Sequence, residues 1–194
     1  MINFRGAQFI KSATNKSEKP DKNLKEVLFV GRSNVGKSSL INAITDNKSL
    51  CFTSSKPGHT RLLNYFEIKD QLYLVDAPGY GYSKAGGKKD TLFGEMMEDY
   101  FYQNDNLAFV VFLVDSRREI REEEVDLFDF FAEENIPYIT VFTKADKLNQ
   151  SEKARALKEV KKHSHRFDNN DVIFTSINDK TSIDNLRKLI SAKL

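Results

Sequence analysis

The residues best placed to do chemistry are Gly31-Arg32-Ser33-Asn34-Val35-Gly36-Lys37-Ser38, with Ser39 directly behind them. They fit the pattern Gly, four residues, Gly-Lys-Ser/Thr, which holds a polyphosphate. Gly31 lets the chain turn, and Gly36 lets the backbone approach a ligand. Successive N–H groups at a helix N-terminus can then surround negative charge. In this pattern Lys37 reaches the β- and γ-phosphates and the Ser38 hydroxyl ligates Mg²⁺. The loop indicates a nucleoside triphosphate but leaves the base open.

Three further stretches narrow the chemistry. Asp76-Ala77-Pro78-Gly79 offers a carboxylate for the shell of a Mg²⁺ ion and an N–H, that of Gly79, for the γ-phosphate. Thr143-Lys144-Ala145-Asp146 is the base-selective set. Guanine presents donors at N1 and N2, which one carboxylate, Asp146, can accept together, and adenine has no such pair. Lys144 can lay its apolar stem along a base, and Thr143 can bond back to the phosphate loop. Backbone N–H groups in Phe174-Thr175-Ser176 can face guanine O6. Thr60 can complete Mg²⁺ coordination when a γ-phosphate is present. Lys37, Thr60 and Gly79 are therefore the candidate catalytic residues.

These stretches need scaffolding that ends strands at the right places. Apolar Val27–Val30 precedes the phosphate loop and Ser39–Ile44 follows as a helix. Leu62–Ile68 and Leu72–Asp76 read as strands joined by a Lys69-Asp70-Gln71 hairpin turn. Leu107–Val114 is the continuous apolar run of a parallel strand covered on both faces. Further strands are expected at Tyr138–Phe142 and Val172–Thr175. Helices are expected at Thr91–Gln103, Arg118–Asn135, Ser151–His165 with Ser151 as N-cap, and from about Ser182. The alternation implies an α/β fold with a mainly parallel sheet, in which ligands sit beyond the strands' carboxyl ends. Residues 1–24 read as an N-terminal extension with a possible edge strand within the first ten residues, and residues 25–194 as one domain. The segment from Asp46 to His59 reads as a long loop, and the glycine- and lysine-rich stretch from Ala77 to Asp90 as a second.

Composition excludes other classes. The chain has 194 residues, 40% of them hydrophobic, and a net charge of +2, too mild to argue for nucleic acid alone. A single cysteine, Cys51, excludes a disulfide framework and reads as a small apolar residue. No apolar run reaches spanning length and the N-terminus lacks a secretory pattern, so a cytoplasmic protein with no membrane partner is expected. His163 and His165 lack the spacing of a metal pair. With Lys158, Lys161, Lys162 and Arg166 they read as a solvated basic surface, and Lys84, Lys88 and Lys89 form a second basic cluster. Either can meet RNA phosphates. The acidic run at Glu122–Glu124 with Asp126 and Asp129 argues for a one-sided footprint.

Together the motifs resemble a translation-factor-related small GTPase. The chain is most similar to the EngB (YihA/YsxC) family of the TrmE–Era–EngA–YihA group. The carrying segments are GRSNVGKSSLIN from Gly31, KPGHTRLLN at Lys56–Asn64, DAPGYGYSK at Asp76–Lys84 and TKAD at Thr143–Asp146. The likeness runs from about Phe9 onward, with Gly86-Gly87 inserted and Phe93 in place of tryptophan. It implies a three-layer Ras-like P-loop GTPase domain. It also adds Gly58, His59, Arg61 and Leu62 to the nucleotide-binding set. The implied protein is a monomeric GTPase that binds GTP and GDP with Mg²⁺. Its implied partner is the large ribosomal subunit or its precursor, rRNA and ribosomal proteins alike, in an assembly step also needed for division and septation. Tyr80 stands where Ras-type proteins carry a water-orienting glutamine, so slow turnover is expected, on the order of 10⁻⁴ to 10⁻² s⁻¹ until a partner stimulates it. Asn34 is a candidate ligand for K⁺ beside the phosphates, as in relatives with asparagine there, or simply a brace for the loop. Two other readings stay open: a guanine-nucleotide-binding module at the division site without hydrolysis, and an ATP-dependent kinase or ATPase, which Asp146 disfavours.

Overall fold

The computed structural model describes residues 2–51, 62–81, 91–102, 104–163, 165 and 171–194. Its strands are Gln8–Ala13 (β1), Lys25–Gly31 (β2), Leu63–Ile68 (β3), Leu72–Asp76 (β4), Leu107–Asp115 (β5), Tyr138–Thr143 (β6) and Val172–Phe174 (β7). They form one sheet in the order β1-β3-β4-β2-β5-β6-β7. The β1–β3 and β3–β4 pairs are antiparallel, and every pair from β4 through β2 and β5 to β7 is parallel. The helices are Lys37–Thr45 (α1), Thr91–Phe101 (α2), Glu122–Glu133 (α3), Gln150–Lys162 (α4) and Lys180–Lys193 (α5).

The central strands serve two cores, as their unbroken apolar runs require. Val27 and Phe29 of β2 pack in one core with Leu40, Ile41 and Ile44 of α1 and Ile183, Leu186 and Ile190 of α5. Leu28 and Val30 point the other way, into a core with Met97 and Tyr100 of α2 and Phe128 and Phe131 of α3. Strand β5 repeats the division, with Phe109, Val111 and Leu113 on the first face and Val110, Phe112 and Val114 on the second. A strand buried on both faces cannot slip by one residue without exchanging its two cores, so the loops at its end are held in place.

The N-terminal residues belong to the same body. Strand β1 is an edge strand that begins within the first ten residues, at Gln8, and runs on to Ala13, and Phe4, Ala7 and Ala13 are buried. Lys69 and Asp70 both have positive φ (44° and 56°), the pair of values a type I′ hairpin turn needs to follow strand twist. Three helix starts differ from the sequence reading. Helix α3 begins at Glu122 rather than Arg118, because Arg118 N–H closes a turn onto Asp115 O (3.1 Å). The Arg121 N–H then donates to the Glu124 carboxylate (2.8 Å). Helix α4 is capped by Asn149, not Ser151: Glu152 N–H donates to Asn149 Oδ1 (2.9 Å) and Asn149 N–H to Glu152 Oε2 (2.8 Å), a reciprocal box. Helix α5 begins at Lys180, where Asp179 accepts from Thr181 N–H (3.0 Å).

Candidate functional site

Every chemically marked stretch that the structure describes lies at or beside the carboxyl end of a parallel strand. The phosphate loop follows β2, and its backbone is bent by Asn34 (φ 65°) and Gly36 (φ 106°). Gly31 is a packing requirement: a Cβ there would lie 2.8 Å from Val35 Cγ1 and 3.0 Å from Leu113 Cβ. Val35 is buried in the core, so the middle of the loop is pinned from below. Lys37 opens α1, with Ser38 and Ser39 half-buried in its first turn.

From the β4 side, the Asp76 carboxylate is buried and pairs with the Lys37 ammonium. Ala77 N–H donates to Phe29 O (3.1 Å), tying the strand end to β2, and Pro78 behind it is buried. Gly79 crosses the phosphate loop closely. Ser33 Oγ donates to Gly79 O (3.2 Å) and Ser33 N–H to Tyr80 O (3.0 Å), and a Cβ on Gly79 would lie 2.8 Å from Ser33 Cα. Tyr80 turns away from the phosphate loop. Its ring is 5% exposed, stacks on Phe112 (centroids 6.4 Å apart), and its hydroxyl donates to Glu124 Oε1 (3.4 Å). Burial, with the Glu124 carboxylate beside it, pushes the Tyr80 phenol far above its ordinary range, and burial raises Glu124 as well. Arg32 runs the same way, packing against Gly81 and reaching Glu123 Oε1 at 3.9 Å.

From the β6 side two side chains reach the backbone carbonyls of the loop itself. Thr143 Oγ1 donates to Val35 O (2.7 Å). Lys144 holds a left-handed conformation (φ 60°) that brings its ammonium onto Asn34 O (2.7 Å) and Asp115 Oδ2 (2.9 Å). Its stem crosses Gly36, where a Cβ would lie 3.7 Å from Lys144 Cε. Burial alone would raise Asp115, but bonds from Arg117 and Lys144 hold its carboxyl well below the usual range. Ala145 N–H donates to Thr175 O (3.0 Å), joining the loops after β6 and β7. Asp146 carries its carboxylate at the rim, where Asn178 Nδ2 donates to Oδ2 (3.0 Å) and Lys147 Nζ lies 3.6 Å away. Hydrogen bonds from Asn178 first, then Ser176, lower its pKa.

The loop after β7 already uses two of the candidate N–H groups. The N–H groups of Thr175 and Ser176 are already committed, to Phe142 O (2.8 Å) and Ser182 Oγ (3.1 Å). Phe174 lies within the β7 ladder with Phe142. In this arrangement neither Thr175 nor Ser176 has an N–H left over for a base. The next residue, Ile177, is exposed, and no described residue accepts from its N–H. Sequence reasoning missed Ile177 and Asn178; their position immediately after Thr175-Ser176 was the available signal.

Gly58, His59, Thr60 and Arg61 lie outside the described residues, as do Lys84, Gly86-Gly87, Lys88, Lys89 and Arg166; Leu62 is described and half-buried. His163 corrects the basic-surface reading. It is buried, with Nε2 3.2 Å from Glu159 Oε1 one helical turn back, while Lys158, Lys161 and Lys162 are exposed. Cys51 is buried beside Asn42, which accepts from its N–H (2.7 Å), and burial pushes its thiol up. No helix among the described residues is long and apolar enough to cross a membrane.

The donor set fits a hard divalent cation. A Ser38 hydroxyl is an oxygen ligand of the kind Mg²⁺ takes, an Asp76 carboxylate can accept from the ion's bound waters, and substrate phosphates can complete its shell. Among the described residues no group of three or more His, Cys, Asp or Glu could hold a metal.

Comparison with known proteins agrees with this geometry. Residues 26–144 match the family model for 50S ribosome-binding GTPases. A probable GTP-binding protein EngB of Mesoplasma florum is 44% identical over 98% of both chains. A crystal structure of a probable GTP-binding protein EngB superposes with a TM-score of 0.68 at 25% identity, covering 87% of this chain and 97% of that one. Era in complex with MgGDPNP and a segment of 16S ribosomal RNA superposes with a TM-score of 0.66 at 25% identity, over 88% of this chain and 57% of Era. The fold is that of a P-loop GTPase domain.

Proposed function

Since this chain belongs to the EngB family of GTP-binding proteins, we propose that it is a guanine-nucleotide switch that hydrolyses GTP slowly and acts in assembly of the large ribosomal subunit. The observation that carries the nucleotide part is the convergence of Asp76, Thr143 and Lys144 on one phosphate loop, with Asp146 at its rim. In this reading Asp146 accepts from guanine N1 and N2, Ile177 N–H donates to O6, and the Lys144 stem covers the base. The loop's N–H groups and Lys37 take the phosphates. Ser38 and Thr60 would ligate Mg²⁺, with Asp76 steadying it from outside the ligand shell, and the ion would supply charge to the phosphate oxygens. Gly79 N–H senses the γ-phosphate.

Slow turnover follows from where Tyr80 points. Its phenol is occupied with Glu124 and its ring with Phe112, so it orients no water at the γ-phosphate. Positioning and charge must then come from elsewhere. Asn34 is exposed with its carbonyl bound to Lys144, which leaves its side-chain amide for K⁺. Turnover should rise in KCl over NaCl at equal ionic strength, and equal rates would remove K⁺ from the account.

The ribosomal part is supported by the description of the matched family and by the Era complex with rRNA. Exposed Lys158, Lys161 and Lys162 provide a phosphate-binding face, with the acidic α3 elsewhere on the surface. The test is Mg²⁺-dependent phosphate release from GTP with and without precursor large subunits, paired with salt-dependent cosedimentation. Stimulated release is expected. Tight GTP binding with no release under either condition would favour a binding module, the route by which a role at septation would operate without hydrolysis.

A further inference from the structure

The loop after β7 places an unassigned side chain on the base-reading carboxylate. Asp146, when ionised, is an acceptor only, so the Asn178 amide must face it with nitrogen; Nδ2 lies 3.0 Å from Oδ2. Asn178 is itself held. Its N–H donates to Ser176 Oγ (3.0 Å), and the next N–H, of Asp179, donates to Ser176 O (3.0 Å). Ser176 is buried and anchored from α5 by Ser182 Oγ, which accepts from Ser176 N–H (3.1 Å) and donates to Asp179 O (2.8 Å). The chain of contacts therefore runs from a buried serine on a long helix to the rim carboxylate.

A carboxylate offers about four lone-pair sites. Two must face the purine donors at once, and rotation about the Cβ–Cγ bond would break one of them. The Ser176 hydroxyl bonds this carboxylate as well, and the Asn178 donor on Oδ2 adds the second fixed point that stops the rotation. Resting on the guanine reading of Asp146, we infer that Asn178 is a positioning residue for base selection, holding the Asp146 carboxylate in the plane that meets guanine N1 and N2 together. The flanking Lys147 ammonium, 3.6 Å from the same oxygen, supplies charge but sits on a flexible, exposed stem and fixes no plane.

The contact made by guanine N2 is the sensitive readout. Inosine triphosphate keeps N1–H and lacks the N2 amine, so the ratio of GTP to ITP affinity reports carboxylate alignment separately from loop integrity. Asn178→Ala should weaken GTP binding about tenfold, near the worth of one hydrogen bond to a charged group, and ITP binding by less than about threefold, compressing the ratio. Asn178→Asp keeps the shape, removes the donor and adds like charge, so it should lower GTP affinity further than Asn178→Ala. Titrations of the full chain with both nucleotides, with thermal melts as folding controls, test this. A parallel fall for GTP and ITP, or an Asn178→Asp variant equal to wild type, overturns the inference. Asp146→Asn run alongside separates the two levels. If it leaves GTP affinity unchanged the base reading itself fails; if it weakens GTP while Asn178→Ala does not, only the positioning role fails.

Discussion

The phosphate loop is fastened from two sides, and the two fastenings differ. On the base side, Thr143 and Lys144 reach backbone carbonyls of the loop at 2.7 Å each, from a strand end buried in the sheet. On the γ-phosphate side the strand end is held by the buried Asp76–Lys37 pair, but beyond it Ser33 meets the Gly79–Tyr80 segment at 3.0 and 3.2 Å, and the outer contacts to α3 lengthen to 3.4 Å at Tyr80 and 3.9 Å at Arg32. A switch needs this asymmetry. In the proposed reading the base pocket must be the same in both nucleotide states, while the segment assigned to the third phosphate must be able to leave its contacts. Short bonds from buried threonine and a charge-paired lysine hold the first. Longer bonds, at a helix terminus whose acidic residue is itself disfavoured as a charge by burial, hold the second.

The largest effect is expected where the two sides cross. Gly79→Ala would put a methyl 2.8 Å from Ser33 Cα and 2.9 Å from Ser33 N, backbone atoms that cannot step aside as a side chain can. The Gly79–Ser33 contact must open, at a cost of about 1–3 kcal/mol, and γ-phosphate-dependent hydrolysis should fall much more than GDP affinity. Phosphate release and GDP titration on one preparation would show the split; equal losses would mean the segment is as rigid as the base side.

Next comes Thr143→Val, which keeps the shape and removes the donor to the buried Val35 carbonyl. Leaving that group unsatisfied should cost about 1–3 kcal/mol of stability, read as a lower melting temperature, with GTP and GDP affinity falling together. Tyr80→Phe should cost less, about 0.5–1.5 kcal/mol for one long hydrogen bond, and leave GDP affinity unchanged. If Tyr80→Phe proved as damaging as Thr143→Val in melting and GDP binding, the contrast between the sides would collapse.

The smallest effect is on pH. The Asp146 carboxyl is held below its ordinary value of 3.8 by Asn178 and Ser176. A depressed folded pKa means the charged, binding-competent form persists above that value and is lost only as pH falls through the lowered one. GDP affinity at the base should therefore stay flat on acidification through pH 5. A decline beginning near pH 6 would point to another group as the base reader.

Much of this was legible from residue order. The phosphate loop, the Asp76 strand end and Thr143–Asp146 each follow an apolar run long enough to be a strand, and an α/β sheet brings such ends together. The two-core alternation of β2 and β5 was also legible, as unbroken apolar runs. What was not legible depends on partners distant in sequence. Ser176 N–H is spent because Ser182, a turn into α5, accepts it, and this moves the free donor to Ile177. Tyr80 faces α3 because Phe112 and Glu124 form a slot for it, and nothing local to Asp-Ala-Pro-Gly-Tyr encodes that slot. Asn149 rather than Ser151 caps α4 because Glu152 stands three residues after the asparagine and closes the box, a spacing that was readable and outweighed by the nearer serine.

The central claim is that Asp146 reads guanine, and the most direct measurement is nucleotide choice by Asp146→Asn. The wild-type chain should bind GTP far more tightly than xanthosine triphosphate. In the variant, GTP affinity should fall about a hundredfold, from loss of the charged acceptor shared by guanine N1 and N2, while xanthosine triphosphate binding should rise, because the new amide donates to the 2-oxygen. Unchanged GTP affinity in a folded Asp146→Asn protein would contradict the account.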